Sequence, residues 1–162
     1  MRQPYTHLID FLERHNVLYR LIDHAPEGRT DLVSAMRGHD PKMAAKCMVI
    51  MVKVGKKVTR YVLGVVPGDA KVDLQAVKTL LSGTYVSFAS PEIAERLSGN
   101  TVGTILPFSF DSNLELVADP ALLKHEEMYF NAARLDRSMV LKTTDYVRVA
   151  QPRVEAIAAT VV

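Results

Sequence analysis

The residue best placed to do chemistry is Lys46, inside the apolar run Ala45 to Val52. Read as a strand, that run puts Lys46 on one face with Met48, Ile50 and Val52, because side chains alternate along a strand. An ammonium resists burial among apolar neighbours unless something pairs with it. Two readings are open. The lysine stands at the mouth of the strand and reaches water along its own stem, or it supplies a cation at the rim of a pocket, where it holds an anionic or carbonyl-bearing ligand.

The second candidate is the segment Gly103-Thr104-Ile105-Leu106-Pro107-Phe108. Glycine allows close approach of the backbone and positive φ, and proline stiffens the way out. Such a loop can aim amide N–H groups at a carbonyl oxygen, as an oxyanion hole does. A plain turn has the same composition, and a Gly-x-x-x-Pro spacing arises by chance roughly 0.4 times in a chain of this make-up. Asp119, before Pro120, and Asn131, at the end of an apolar run, are weaker candidates; each is also what a turn or a strand end commonly carries.

Other chemistries lack their signatures. No G-x-x-x-x-G-K-[ST] or G-x-G-x-x-G occurs, so neither a P-loop nor a dinucleotide fingerprint is present. His7, His15, His24, His39 and His125 are too scattered for a local metal-binding pair. Cys47 has no histidine near it in sequence and no G-x-S-x-G elbow occurs, which leaves covalent catalysis without local support.

The elements that must position these residues follow from periodicity. Leu8, Phe11, Leu12 and His15 share one face of a helix from Tyr5 to Asn16. A short strand spans Tyr19 to Asp23, and a second helix, capped by Thr30 and carrying Leu32, Val33 and Met36, stops at Gly38. Ala45–Val54 and Val58–Val66, joined through Gly55-Lys56-Lys57, form a hairpin. Both strands are apolar on both faces, which predicts a sheet covered on each side. A turn at Pro67-Gly68-Asp69 leads to a helix capped by Asp73, then a strand at Tyr85–Phe88 and a helix opening at Ser90-Pro91 and ending at Gly99. Strands near Leu114–Ala118, Met128–Asn131 and Met139–Lys142 precede a last helix capped by Thr143 and carrying Tyr146, Val147 and Val149. Helices and strands interleave irregularly around at least one hairpin. The expected fold is α+β (α/β mixed), with a mixed sheet flanked by helices.

At 162 residues, without repeats or linker-like stretches, the chain reads as a single domain over residues 1–162. One cysteine fits a reducing compartment. With no basic-then-apolar leader and no run near the length of a membrane span, the expectation is a cytoplasmic protein that does not engage a membrane. A net charge of +2 is compatible with RNA but does not point to it. The local excess at Lys53, Lys56, Lys57 and Arg60 reads equally as a solvated hairpin tip.

Taken in order, these residues resemble the YbaK/prolyl-tRNA-synthetase-associated editing domain over nearly the whole chain. The resemblance rests on Ala44-Ala45-Lys46, Val65-Val66-Pro67-Gly68-Asp69, Leu97-Ser98-Gly99, Gly103 to Pro107, Leu116-Val117-Ala118-Asp119 and Asn131-Ala132-Ala133. Pro107-Phe108-Ser109-Phe110 and Lys142-Thr143-Thr144-Asp145-Tyr146 are closer to a stand-alone bacterial subgroup than to the domain inserted in the synthetase.

The resemblance implies a strongly curved mixed sheet and hydrolysis of the ester that joins a wrong amino acid to tRNA, chiefly tRNA for proline. Serine or threonine is the expected cargo, with alanine next. Neither metal, cofactor nor covalent intermediate is implied. Lys46 matches the lysine that engages the terminal nucleotide, and its phosphate is expected nearby. Gly103, Thr104, Ile105, Leu106, Pro107 and Phe108 match the loop that holds the aminoacyl group. Asp119, Asn131, Ala132 and Ala133 match pocket-side positions. The implied partners are the aminoacylated 3′ end of tRNA and an aminoacyl-tRNA synthetase, not DNA. Related stand-alone chains often have Asn-Ala-Gly where this one has Asn131-Ala132-Ala133, so Ala133 adds a methyl beside the implied pocket. The competing reading is a non-catalytic module that binds a nucleotide, tRNA or a protein; hydrolysis of some other small ester or amide is a third.

Overall fold

In the computed structural model, which describes residues 3–160, the chain begins with α1 (Pro4–Arg14), β1 (Tyr19–Asp23) and α2 (Thr30–Arg37). A single tight helical turn, Pro41–Met43, leads into the hairpin β2 (Ala45–Val54) and β3 (Val58–Pro67). Next come β4 (Ala70–Val72), α3 (Leu74–Leu80), β5 (Tyr85–Phe88) and α4 (Pro91–Ser98). After a long loop follow β6 (Leu114–Ala118), α5 (Pro120–Leu123), β7 (Glu127–Asn131) and β8 (Arg137–Lys142). The described chain closes with α6 (Thr143–Ala150), β9 (Arg153–Val154) and β10 (Ala158–Thr160).

The strands form a mixed five-stranded sheet in the order β5-β2-β3-β6-β9, an antiparallel sheet β1-β8-β7 and the pair β10-β4. The hairpin is antiparallel over its whole length, with Ala45 opposite Pro67 and Val54 opposite Val58, whereas β6 runs parallel to β3. A parallel bridge between Ala44 and Tyr129 ties the first two sheets together.

The hairpin is covered on both sides, as its two-sided apolar pattern requires. Val49, Leu63 and Val65 pack with Leu8 and Leu12 of α1, Phe108, Met139 and Tyr146. Ile50, Val52, Val62 and Val66 pack with Val77, Leu81 and Ile157. Each such side chain, when fully buried, contributes about 1.5–3 kcal/mol. The cluster beneath α1 includes Leu106 and Phe108, so the core itself anchors the loop after α4.

Helix ends follow local chemistry in part. The Asp73 and Ser90 side chains accept amides of the first turns of α3 and α4, and Gly99 ends α4 in the left-handed conformation. Thr30 and Thr143 are not caps. Each is the first residue of its helix, and the Thr143 hydroxyl donates instead to the His125 carbonyl at 2.5 Å. His15 leaves the buried stripe, because α1 ends at Arg14 and the ring lies exposed against Phe11. Lys56 and Lys57 sit exposed at the hairpin tip, while Arg60 forks onto Glu115 at 2.6 and 2.9 Å. Among the described residues no helix is long and apolar enough to cross a membrane.

Candidate active site

A gap in the central sheet creates the main cavity. β5 pairs with β2 only from Ile50 to Lys53, so Ala45 to Met48 have no strand beside them on that edge. A cavity of about 560 Å³ opens there, walled by Ala45 to Val49, by Gly28 to Asp31 at the start of α2, and by Arg37, Gly68, Gly103, Ile105 and Asn131. Gly68 is dictated by crowding: a Cβ on it would lie 2.5 Å from the Thr30 side chain and 2.6 Å from the Pro41 carbonyl.

Lys46 is half-buried in this wall, and its Nζ donates to the Ala70 carbonyl at 3.1 Å. Gly103, which lines the same cavity, adopts φ +94°, and a Cβ there would come within 3.3 Å of the Gly28 Cα. Both facts demand glycine. The Thr104 amide is committed to the Thr101 carbonyl (2.9 Å) and the Val102 amide to the Glu95 carboxylate (2.9 Å). The amides of Gly103 and Ile105 have no acceptor among the described residues.

Asn131 holds the two glycine loops together. Its Nδ2 donates to the carbonyls of Glu27 and Gly103, both at 3.0 Å, and its Oδ1 accepts from the buried Ser138 hydroxyl at 3.1 Å. Two carbonyl partners fix which end of the amide is nitrogen. Ser138 Oγ in turn accepts from Arg37 Nη1 at 3.0 Å and lies 2.7 Å from His24 Nε2.

Arg37 donates its Nε–H to His39 Nε2 at 2.9 Å, and the His39 ring is stacked on Tyr129, centroids 3.7 Å apart. Arg20, Arg29, Arg60, Arg134, Arg137, Arg148 and Arg153 each pair with a carboxylate. Half-buried Arg37 pairs with none among the described residues, and loss of hydration pushes its pKa down to about 10. The cavity wall therefore holds Arg29, Arg37 and Lys46 against the single carboxylate of Asp31, itself bound to Arg29 at 3.0 Å. Burial pushes the Cys47 thiol up, which keeps it protonated and a poor nucleophile near neutral pH.

Of the residues singled out in the sequence, Lys46, Gly103, Ile105 and Asn131 meet in this cavity. The rest of the loop serves to anchor it. Leu106, Pro107 and Phe108 are buried, with Phe108 edge-on to Phe11, Phe130 and Tyr146, and the Thr104 hydroxyl bonds back to Thr101. Asp119 lies outside the cavity wall, and its buried carboxylate accepts from the amides of Ala121, Ile157 and Ala158 at 2.8 Å each. Ala132 is fully buried in the core, and Ala133 packs against it in the left-handed conformation, φ +60°, so neither touches the cavity. Arg37 and Ser138 were not legible as site residues. A basic residue in the last turn of a helix ordinarily answers the helix dipole, and nothing in sequence distinguishes this one.

The profile of the aminoacyl-tRNA editing domain matches residues 24–149, which takes in every wall of the cavity. The chain belongs to the aminoacyl-tRNA editing domain family. Within that family it is 40% identical over 146 residues to the multifunctional Ser/Thr-tRNA deacylase ProXp-y of Escherichia coli, covering 90% of this chain and 87% of that one. It is 32% identical over 100 residues to the proline–tRNA ligase of Bacillus licheniformis, covering 61% of this chain and 17% of the ligase. Among solved structures, a candidate trans-editing enzyme for prolyl tRNA synthetase has the same editing-domain fold, with a TM-score of 0.79 at 18% identity, covering 98% of this chain and 99% of that one.

Proposed function

We propose that this chain is an aminoacyl-tRNA deacylase acting in trans, which hydrolyses the ester of serine or threonine, and secondarily alanine, wrongly attached to tRNA for proline. The observation that carries the reading is that Lys46 and Gly103, distant in sequence, line one and the same cavity. Similarity to a Ser/Thr-tRNA deacylase over most of both chains supports the choice of cargo. Similarity to part of a proline–tRNA ligase supports tRNA for proline and an association with the synthetase.

In this reading Lys46 contacts the terminal nucleotide, and the amides of Gly103 and Ile105 donate to the ester carbonyl as it becomes an oxyanion. One such donor is worth about 3 kcal/mol in well-studied hydrolases. Water attacks the carbonyl carbon, and the tetrahedral intermediate collapses with cleavage of the bond to the ribose oxygen. The proton lost by water reaches that oxygen with help from the neighbouring ribose hydroxyl, leaving free amino acid and uncharged tRNA. No side chain is needed as general base, in keeping with the protonated Cys47.

The test is a deacylation panel with tRNA for proline charged with serine, threonine, alanine or proline, run on the wild type and on Lys46→Ala. The expected result is release of serine and threonine, sparing of proline, and loss of turnover in the variant with its circular dichroism unchanged. Full turnover by Lys46→Ala would remove Lys46 from the mechanism. Absence of release from every charged tRNA would favour a binding module.

A further inference from the structure

We propose that Arg37 binds the phosphate of the substrate's terminal nucleotide; the proposal rests on the deacylase reading above. Arg37 lines the cavity, is half-buried and has no carboxylate partner among the described residues. A cation held partly out of water without a counter-ion is costly, and a ligand that supplies the counter-ion recovers that cost. Arg37 is also fixed in place. Its Nε–H is held by His39 at 2.9 Å and one Nη1–H by Ser138 at 3.0 Å, while the Ser34 hydroxyl lies at 3.5 Å from Nη2. Each terminal nitrogen carries two N–H groups, so both keep a donor with no acceptor among the described residues.

Substrate chemistry selects the anion. An aminoacyl ester carries an α-ammonium and no carboxylate, so the acylated end of the RNA offers negative charge only at the phosphodiester on the other side of the ribose. Planar guanidinium donors match phosphate oxygens in a way an ammonium does not. Lys46, the cavity's other unpaired cation, already has its Nζ on the Ala70 carbonyl. It belongs to the face of β2 that packs towards Ile50 and Val52. Arg37 takes the phosphate, and Lys46 is left to the acylated ribose.

Calorimetric titration of the full chain with adenosine 5′-monophosphate, adenosine and inorganic phosphate tests this. The wild type is expected to bind the monophosphate about tenfold or more tightly than adenosine, the range for a charge-assisted contact. Inorganic phosphate alone should bind more weakly than the monophosphate. Arg37→Gln should bind adenosine and its monophosphate alike with adenosine affinity unchanged, and Lys46→Ala should keep the preference. If Arg37→Gln does not fold, Arg37→Lys decides: a preference several-fold smaller supports the assignment, and an undiminished one overturns it. A wild type with no preference, an Arg37→Gln that keeps it, or phosphate binding as tightly as the nucleotide each overturns it too. The deacylation panel separates the failures. Release of amino acid together with an intact preference in Arg37→Gln sinks only the Arg37 assignment, whereas no release sinks the reading beneath it.

Discussion

The Asn131 carboxamide donates to the Gly103 carbonyl at 3.0 Å, and the same nitrogen reaches the Glu27 carbonyl at the same distance. One side chain on β7 thus sets how the loop after α4 stands against the loop before α2, with Gly28 and Gly103 in near contact between them. The cavity lip depends on this junction.

Asn131→Asp tests that dependence at almost constant volume. The substitution replaces the nitrogen with a carboxylate oxygen facing two carbonyls at a buried position. We predict a loss of about 3 kcal/mol of stability, the scale for stranding a buried charge without partners. Deacylation should fall at least as steeply as for a lost donor. Urea denaturation and single-turnover hydrolysis check both; a variant with wild-type stability would show that the junction is not held by Asn131.

Ala133 bears a different strain. Its φ of +60° lies in the left-handed region, which costs an L-residue with a Cβ about 1–2 kcal/mol. Glycine removes that cost but adds about 0.4–1 kcal/mol of unfolded-state entropy. Ala133→Gly is predicted to stabilise the chain by about 0.5–1 kcal/mol, a rise of a few degrees in Tm for a domain of this size. Because Ala133 lies outside the cavity wall, amino-acid preference should not change. A lower Tm, or a changed preference in the deacylation panel, would contradict this.

Tyr146 is fully buried, and its hydroxyl has no hydrogen-bond partner among the described residues. Burial raises its pKa well above the usual phenol range, so the group stays neutral, but its desolvation is uncompensated. Tyr146→Phe keeps the ring packed against Phe108 and deletes the orphan oxygen. The expected gain is about 1 kcal/mol, measured by chemical denaturation; a loss of similar size would mean that the hydroxyl is satisfied in solution.

His39 makes stability fall in mild acid. Its Nε2 accepts from Arg37, and its Nδ1–H donates to the Asp40 carbonyl at 2.8 Å, a pattern open only to the neutral ring. Burial, with Arg37 adding to it, holds its pKa below the ordinary imidazole value; the Asp40 carbonyl and carboxylate offset part of this. The unfolded chain therefore takes up the proton first. Stability is lost as the pH drops below about 6.5, and the loss levels off below the folded pKa. His39→Gln should flatten the pH–stability curve between about pH 6.5 and pH 5. An identical slope in wild type and variant would rule His39 out as its source.

Local sequence was enough for most of the secondary structure. The paired β-branched runs around Gly55, the caps at Asp73 and Ser90 and the stop at Gly99 act within a few residues, so composition and spacing report them directly. The two-sided apolar pattern of the hairpin likewise announced that both faces are covered. The short strands β4, β9 and β10 and the single-turn α5 were missed. Elements of two to four residues have too little periodicity to register, and here they exist because distant chain presents them with partners, as Asp119 does for the amides of Ile157 and Ala158.

For the site, sequence alone settled which residue types stand at Lys46, Gly103 and Asn131, but not what surrounds them. The folded chain decided that Lys46 and Gly103 share a cavity, that Asn131 is its clasp, and that Asp119 belongs to the scaffold. It also turned Arg37 from an ordinary end-of-helix cation into a cavity-wall guanidinium with no carboxylate partner among the described residues. The reason is physical. Burial and counter-ion distance set the worth of a charge, and both depend on segments roughly a hundred residues away, such as Ser138 and Tyr129, that one stretch of sequence cannot disclose.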